Sequence, residues 1–251
     1  MEDLHLYNEI VSDRLPYEPP ADIGTAAVIL AAGKGERLKP LTALTPKPLI
    51  AVSGQTLLER NINCLADSGV KKIIVNGSRM GDQIESFLRN HYEQSNVSID
   101  YISEGDEPLG TAGAIFNIID EGLINDDLFW VVNADIITDF PFKRIQLNRE
   151  TLGHIVLVPN PRHNSSGDFC LEGDRVSISN NERYTFSGIS YFSTLCFTQS
   201  SQRYFSLAEL LHEHIEKRMI TGELFQGDWL DVGTMKRLTE AENKLADKRN
   251  E

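Results

Sequence analysis

Two kinds of segment alternate along residues 26 to 132. Short, mainly apolar runs are typical of strands buried in a sheet, and longer stretches repeat an apolar residue every three or four positions, as one face of a helix does. The predicted strands are Ala27–Ala32, Lys72–Val75, Ser98–Ile102 and Leu128–Val132, and the predicted helices are Gln55–Ser68 and Gly81–Tyr92. This alternation predicts a parallel sheet with covering helices, which is an α/β fold.

The second half of the chain has a less regular pattern. It predicts strands at His154–Val158, Phe169–Leu171 and Phe186–Phe192, a hairpin turn at Glu172–Asp174, and helices at Leu207–Lys217 and Thr234–Asp247. The Thr234 hydroxyl can cap the last helix. His212 and His214 lie two positions apart on a predicted helix, so they point in different directions and cannot share a metal. We expect both histidines at the surface or at the rim of a site.

The first 24 residues differ in composition from the rest. They contain six acidic residues and one basic residue, and they end in the proline-rich stretch Pro16–Pro20. Proline fixes its own backbone angle and disfavours helix at the residue before it. We therefore predict an N-terminal arm or extension at residues 1–24 and a single domain at residues 25–251, a length that suits one α/β domain.

Charge and composition exclude several classes of protein. The net charge of −13 argues against wrapping nucleic acid, which needs a basic face. The longest apolar run, Ala26–Ala32, is far shorter than the roughly 20 residues that span a bilayer, and no secretory signal is recognisable, so we expect a cytoplasmic protein. The three cysteines are too few and too scattered for a disulfide framework or a zinc site.

A basic, glycine-containing segment follows the first strand. Residues 33–48 contain four basic residues and one acid, against the charge of the whole chain. Gly33 and Gly35 allow a sharp turn that presents backbone N–H groups to an anion, and the Arg37 guanidinium suits phosphate oxygens. The segment is neither a Walker A loop nor a dinucleotide fingerprint, whose third glycine would fall at Leu38. It predicts a phosphate site, and Lys47, held between two prolines, is either a second charge there or a surface lysine.

Two aspartates each follow a short apolar segment. Asp135 lies three residues after the predicted strand Leu128–Val132, and Asp231 follows Trp229 and Leu230. Ligands of open α/β sheets lie outside the carboxyl ends of the strands, where Arg37 is also expected. One such aspartate is commonly a helix cap, but two of them facing a phosphate site would form an oxygen cage for Mg²⁺ shared with a triphosphate.

Five segments in this order resemble the nucleotidyltransferases that activate sugar 1-phosphates. They are Leu30–Arg37, Thr45–Pro48, Leu109–Ala114, Val132–Asp135 and Trp229–Thr234. The resemblance covers residues 26 to about 245. It implies the dinucleotide-like fold of nucleotide-diphospho-sugar transferases, with a mostly parallel sheet and helices on both faces. Further segments, Asn160–His163, Gly167–Phe169 and Thr185–Ile189, resemble the branch of the family that uses UTP and N-acetylmuramate 1-phosphate in peptidoglycan recycling.

The resemblance also implies roles for individual residues. Gly33, Gly35, Glu36 and Arg37 would hold the triphosphate, Lys47 would bridge its phosphates, Asn76 and Gly110 would lie along the nucleoside, Asp135 and Asp231 would hold Mg²⁺, and Asn160 and Asp168 would contact the sugar phosphate. Arg37, Lys47 and Asp135 would be the catalytic residues. Where the family often has glycine before the metal aspartate, this chain has Ala134.

Other functions stay open from the residues alone. The chain could use another substrate pair, such as mannose or glucose 1-phosphate with GTP or dTTP, or phosphocholine with CTP. It could also be a non-catalytic relative that binds sugar nucleotides, although such a relative would be expected to lose Arg37, Lys47 or a metal aspartate. The sequence leaves the oligomeric state undetermined.

Overall fold

A central mixed sheet organises the part of the chain that the computed structural model describes, which comprises residues 26–105, 109–143, 145–148, 150–179, 181–197 and 206–250. The strands are β1 (Ala26–Leu30), β2 (Ala51–Val52), β3 (Gln55–Thr56), β4 (Lys72–Gly77), β5 (Ser98–Ser103), β6 (Leu128–Asn133), β7 (Ile136–Thr138), β8 (Gly153–Val158), β9 (Phe169–Glu172), β10 (Arg175–Ser177), β11 (Arg183–Ser193), β12 (Ile220–Leu224) and β13 (Trp229–Asp231). The arm predicted at residues 1–24 lies outside the described residues.

The order of strands in the main sheet is β5-β4-β1-β6-β11-β8-β12-β10-β9. The first four run parallel, as the alternating pattern predicts, and Leu30 at the end of β1 pairs with Asn76 on one side and Asn133 on the other. Strand β11 then runs antiparallel between β6 and β8. The second half of the chain therefore makes the sheet mixed, while the parallel half brings several carboxyl ends to one edge.

Helices cover both faces of the sheet, in agreement with the prediction. They are α1 (Leu57–Asp67), α2 (Gly81–Tyr92), α3 (Thr111–Asp120), α4 (Leu207–Glu216) and α5 (Met235–Asn250). Apolar residues of α1 and α2 pack on one face of the sheet, and those of α3 and α4 pack on the other. None of the described helices is both long and apolar enough to cross a membrane.

The helix ends follow from local chemistry. The side chain of Thr56 accepts a hydrogen bond from the backbone N–H of Glu59 at 3.0 Å, and the Glu59 carboxylate binds back to the Thr56 N–H, which forms a capping box. Gly69, with φ +95°, ends the same helix where the sequence predicts its end. The Thr234 hydroxyl accepts from the N–H of Arg237 at 3.3 Å, so the predicted cap of the last helix is confirmed.

The surface position predicted for His214 is wrong. His212 is exposed on α4, but His214 is only 4% exposed, and its Nε2 lies 3.1 Å from the carbonyl oxygen of Cys196. The amphipathic period of the helix places His214 beside Leu210, Leu211 and Ile215 on the buried face, and its hydrogen bond to the neighbouring backbone satisfies one ring nitrogen there.

Candidate active site

A cavity of about 440 Å³ lies at the carboxyl ends of β1, β4 and β6 and beside the start of α3. Five of the residues predicted from sequence line it: Gly33, Lys47, Asn76, Gly110 and Asp135. They come from five separate stretches of the chain, and the parallel strands bring them together because their ends meet at one edge. The cavity therefore brings together one or two residues of each predicted group, whereas Gly35, Glu36, Arg37 and Asp231 are not among the residues that line it.

Gly35 gives the loop after β1 its shape. Its φ of +63° is the left-handed conformation that glycine adopts without a penalty, and the 3-10 turn Glu36–Leu38 follows. The Gly35 carbonyl oxygen accepts from the Leu38 N–H at 2.9 Å and from the Thr42 hydroxyl at 2.8 Å. A Cβ atom at position 35 would lie 2.8 Å from Thr42 Cγ2 and 3.2 Å from Lys47 Cβ. The loop therefore packs directly against the base of the Lys47 side chain.

Lys47 faces the cavity and is not a surface lysine. It begins the 3-10 turn Lys47–Leu49, in which Pro48 is buried. Its Nζ makes an ion pair with Asp135 Oδ2, and the two side chains are only 13% and 28% exposed. The ammonium and the carboxylate therefore neutralise each other inside the cavity.

The second predicted metal residue, Asp231, lies on the strand beside Asp135. Strand β13 pairs with β7 so that Asp231 is opposite Ile136, and the N–H of Val232 donates to the carbonyl oxygen of Asp135 at 2.8 Å. Asp231 forms an ion pair with Arg237, and its Oδ1 lies 3.1 Å from His163 Nε2. The two aspartates thus occupy neighbouring backbone positions, while their carboxylates pair with different cations, Asp135 with Lys47 and Asp231 with Arg237.

The donor set suits a hard cation. No group of three or more His, Cys, Asp or Glu side chains that could hold a metal occurs among the described residues. Two carboxylates leave most ligand positions to phosphate oxygens and water, which is how Mg²⁺ is usually held, whereas structural zinc needs a full set of protein nitrogen or sulfur ligands.

Arg37 connects the loop after β1 to the segment after β13. A Cβ atom on Gly233 would lie 3.3 Å from Arg37 Nη2. The Arg37 guanidinium therefore lies beside Gly233, which follows Asp231 by two residues. Arg37 itself is exposed. The guanidinium therefore lies at the rim of the site on the Asp231 side.

Positive charge surrounds the loop, as the local composition predicts. A smaller cavity of about 170 Å³ shares Gly33, Lys34 and Lys47 with the first, and Lys39 and Arg79 also line it. Glu36 is the acidic residue lining this smaller cavity. A hydrogen bond and ion pair with the Lys39 ammonium lower the pKa of Glu36 below its usual range. The Glu36 carboxylate is thus compensated by Lys39 and the Lys47 ammonium by Asp135, which leaves the positive charge of Lys34 and Arg79 facing this smaller cavity.

Glu104 is a residue of the site that the sequence analysis missed. The carbonyl oxygen of the Asn76 side chain accepts from the Ala31 N–H at 2.7 Å, and its NH₂ group donates to Glu104 Oε1. The other oxygen of Glu104 accepts from the Leu109 N–H at 2.8 Å. Burial raises the pKa of Glu104, while these two hydrogen bonds oppose the shift. The signal in the sequence that could have identified Glu104 is its position directly after the end of β5.

Asn160 and Asp168 hold a loop and do not line the cavity of about 440 Å³. Both are exposed. Asp168 Oδ2 accepts from the N–H of Phe186 at 2.8 Å, and the Asn160 NH₂ donates to the carbonyl oxygen of Arg183 at 2.8 Å. These bonds tie residues 160–168 to β11.

The same loop borders a second cavity of about 560 Å³. Arg162 and His163 line it together with Asp231 and Arg237. Arg237 Nη1 lies 2.8 Å from His163 Nε2, so the loop, α5 and β13 meet at this point. Neither Asn160 nor Asp168 is among the residues that line this cavity, although both belong to the loop that borders it.

Comparisons with known proteins assign the family. The family model described as nucleotidyl transferase matches residues 26–167. The chain is 36% identical over 225 residues to N-acetylmuramate alpha-1-phosphate uridylyltransferase from Neisseria meningitidis serogroup B, a match that covers 86% of this chain and 96% of that enzyme. It is 29% identical over 228 residues to the mannose-1-phosphate guanylyltransferase catalytic subunit beta of Xenopus tropicalis, covering 84% of this chain and 61% of that protein.

Similar solved structures agree with this family assignment. The crystal structure of HddC from Yersinia pseudotuberculosis superposes with a TM-score of 0.71 at 25% identity, covering 88% of this chain and 99% of HddC. The predicted nucleotide-diphospho-sugar transferase fold is confirmed. Together with the family model and the full-length similarity to the Neisseria enzyme, this places the chain in the sugar-1-phosphate nucleotidyltransferase family.

Proposed function

We propose that this protein transfers UMP from UTP to N-acetylmuramate 1-phosphate and releases pyrophosphate, with Mg²⁺ as cofactor, in the cytoplasmic recycling of peptidoglycan. The observation that carries the choice of substrates is the 36% identity to the Neisseria uridylyltransferase over 96% of its length. Nucleotidyl transfer to a sugar 1-phosphate is the general activity of the family.

The reaction needs positioning and charge neutralisation more than acid–base chemistry. An oxygen of the sugar phosphate attacks the α-phosphorus of UTP, the new P–O bond forms, and the bond to the β-phosphate oxygen breaks in line. A phosphate dianion is already a nucleophile at neutral pH, so it requires no general base. The protein then contributes by aligning the two substrates and by stabilising the charge that moves to pyrophosphate.

The loop after β1 and Lys47 supply that stabilisation. Backbone N–H groups around Gly33 and Gly35 would bind the triphosphate together with Glu36 and Arg37, and the Arg37 guanidinium would meet the leaving pyrophosphate. Lys47 pairs with Asp135. When nucleotide enters, the ammonium would exchange this carboxylate for phosphate oxygens.

Asp135 and Asp231 would hold Mg²⁺, with phosphate oxygens and water completing its ligands. When bound, the ion neutralises phosphate charge and orients the α-phosphate and the incoming phosphate. Asn76 and Gly110 would lie along the nucleoside, and Glu104 adds a half-buried carboxylate to that wall of the cavity. On the acceptor side, Asn160 and Asp168 would contact the sugar phosphate.

Guanylyl transfer to mannose 1-phosphate is the second candidate. It is favoured by the similarity to the Xenopus guanylyltransferase subunit, which extends over 84% of this chain. A non-catalytic regulator is disfavoured because Arg37, Lys47, Asp135 and Asp231 are all present.

Pyrophosphate release tests the proposal. The full chain is assayed with Mg²⁺ against UTP, GTP, dTTP and CTP, each combined with N-acetylmuramate, glucose and mannose 1-phosphates and with phosphocholine. Release restricted to UTP with N-acetylmuramate 1-phosphate supports the proposal, and release restricted to another pair refutes the proposed substrates. A folded protein that is silent with every pair would indicate the regulator. Repeating the active pair without Mg²⁺ tests the cofactor.

A further inference from the structure

A buried asparagine lies behind the turn that carries Asp135. Asn61 is on α1 and is only 3% exposed. Its side-chain NH₂ donates to the carbonyl oxygen of Ile136 at 3.1 Å and to that of Leu57 at 2.9 Å, and it lies 3.5 Å from the carbonyl oxygen of Ala134. Two of these three oxygens belong to the residues on either side of Asp135.

Asparagine is energetically unfavourable at this buried helical position unless its amide makes hydrogen bonds there. It is a weak helix former, and burying an amide without partners is unfavourable. The neighbouring inward positions of α1, Leu58, Ile62 and Leu65, are all apolar. At Asn61 the hydrogen bonds to the Asp135 turn offset both penalties, so the contact between the helix and the turn is specific.

The same helical turn also holds the partner of Asp135. The N–H of Leu57 donates to the carbonyl oxygen of Ile50 at 3.1 Å, and Ile50 directly follows the 3-10 turn that begins with Lys47. The start of α1 therefore holds the Lys47 turn through Leu57 and the Asp135 turn through Asn61. The distance between the Lys47 ammonium and the Asp135 carboxylate therefore depends on the start of α1.

We propose that Asn61 is a positioning residue that orients the Asp135 carboxylate for the divalent cation without touching the substrates. This inference rests on the proposed role of Asp135 as a metal ligand. Groups that orient metal ligands typically change metal affinity or activity by 10- to 100-fold when they are removed. We expect an effect near the lower end, about tenfold, because the backbone of Asp135 also bonds to Val232.

The test compares Asn61→Leu, which keeps the size of the side chain and removes the amide, with two controls on the same helix. Asn63→Ala removes an asparagine whose side chain meets Tyr92 and not the Asp135 turn. Leu65→Ala removes a fully buried apolar side chain, so it destabilises the fold without changing the turn. Asn61→Ala also removes the amide, adds neither bulk nor charge behind the Asp135 turn, and serves with the same expected result if Asn61→Leu does not fold.

Mn²⁺ affinity in the presence of UTP, measured by electron paramagnetic resonance on the full chain without sugar phosphate, is the primary readout. We expect Asn61→Leu to weaken Mn²⁺ binding about tenfold and to raise the Mg²⁺ concentration needed for half-maximal turnover by a similar factor. Both controls should keep the wild-type Mn²⁺ affinity. A lower melting temperature with wild-type Mn²⁺ affinity and Mg²⁺ dependence would show that Asn61 is only structural.

The two proposals fail in different ways. If the wild-type chain neither binds Mn²⁺ nor turns over any substrate pair, the metal-dependent function is wrong. If the wild type does both and Asn61→Leu is indistinguishable from it, only the positioning role is wrong.

Discussion

Alanine at position 35 tests whether the loop after β1 must pack against Lys47. The native φ of +63° costs an alanine about 1–2 kcal/mol relative to glycine. The added Cβ would also lie 2.8 Å from Thr42 Cγ2 and 3.2 Å from Lys47 Cβ, so the Lys47 turn or the loop has to move. Overpacking of this kind costs about 1–3 kcal/mol more.

Gly173→Ala is the matched control. Gly173 has a φ of +67°, and a Cβ there would meet nothing within 4 Å. Both variants should therefore lose the same roughly 1–2 kcal/mol of unfolding free energy from backbone strain. Only Gly35→Ala should lose more, and only Gly35→Ala should move a residue of the site.

Turnover and urea unfolding are measured on the same preparations. A displacement of about 1 Å in a positioning group can lower a rate by about 100-fold, so we expect kcat of Gly35→Ala to fall at least tenfold below that of Gly173→Ala. Adding Thr42→Ser removes the closest methyl group while keeping the hydroxyl that bonds to the Gly35 carbonyl oxygen, and it should restore part of the activity. Equal kcat values for Gly35→Ala and Gly173→Ala would refute the reasoning.

Three further predictions concern single side chains. Asp135→Asn should lose most activity while circular dichroism and the melting temperature stay close to wild type, and near-full turnover would remove Asp135 as a metal ligand. Arg37→Ala should lower kcat more than it raises KM for the sugar phosphate, whereas a rise in that KM alone would assign Arg37 to the acceptor side. Burial lowers the pKa of His214, so the unfolded state binds a proton more readily. The unfolding free energy should therefore fall as pH drops below the unfolded-state pKa of about 6.5, and His214→Gln should lose this dependence, as pH-dependent denaturation would show.

The spacing of apolar residues was sufficient to predict the strands and helices that follow a simple period. Strands β1, β4, β5 and β6 and helices α1 and α2 were predicted within a few residues, because a half-buried helix and a buried strand leave different apolar spacings. The two-residue strands β2 and β3 were not predicted, since they are too short to show a period. Helix α3 was not predicted: its residues Ala112–Ile115 and Ile118 are buried, so it lacks a clear polar face. His214 was misplaced because its polar character was weighed above its helical spacing of three and four positions from Leu211 and Leu210.

The amino-acid sequence by itself determined the α/β class, the glycine loop, the basic segment around it and the two aspartates. Each of these is recognisable from residues that are close together in the chain. Only the tertiary structure decided which of these groups meet. Lys47 and Asp135 are 88 positions apart and form an ion pair, and Asn61 reaches Ile136 across 75 positions. Such contacts depend on strand order and helix packing, which local pattern does not encode, and for that reason the support behind Asp135 became visible only in the fold.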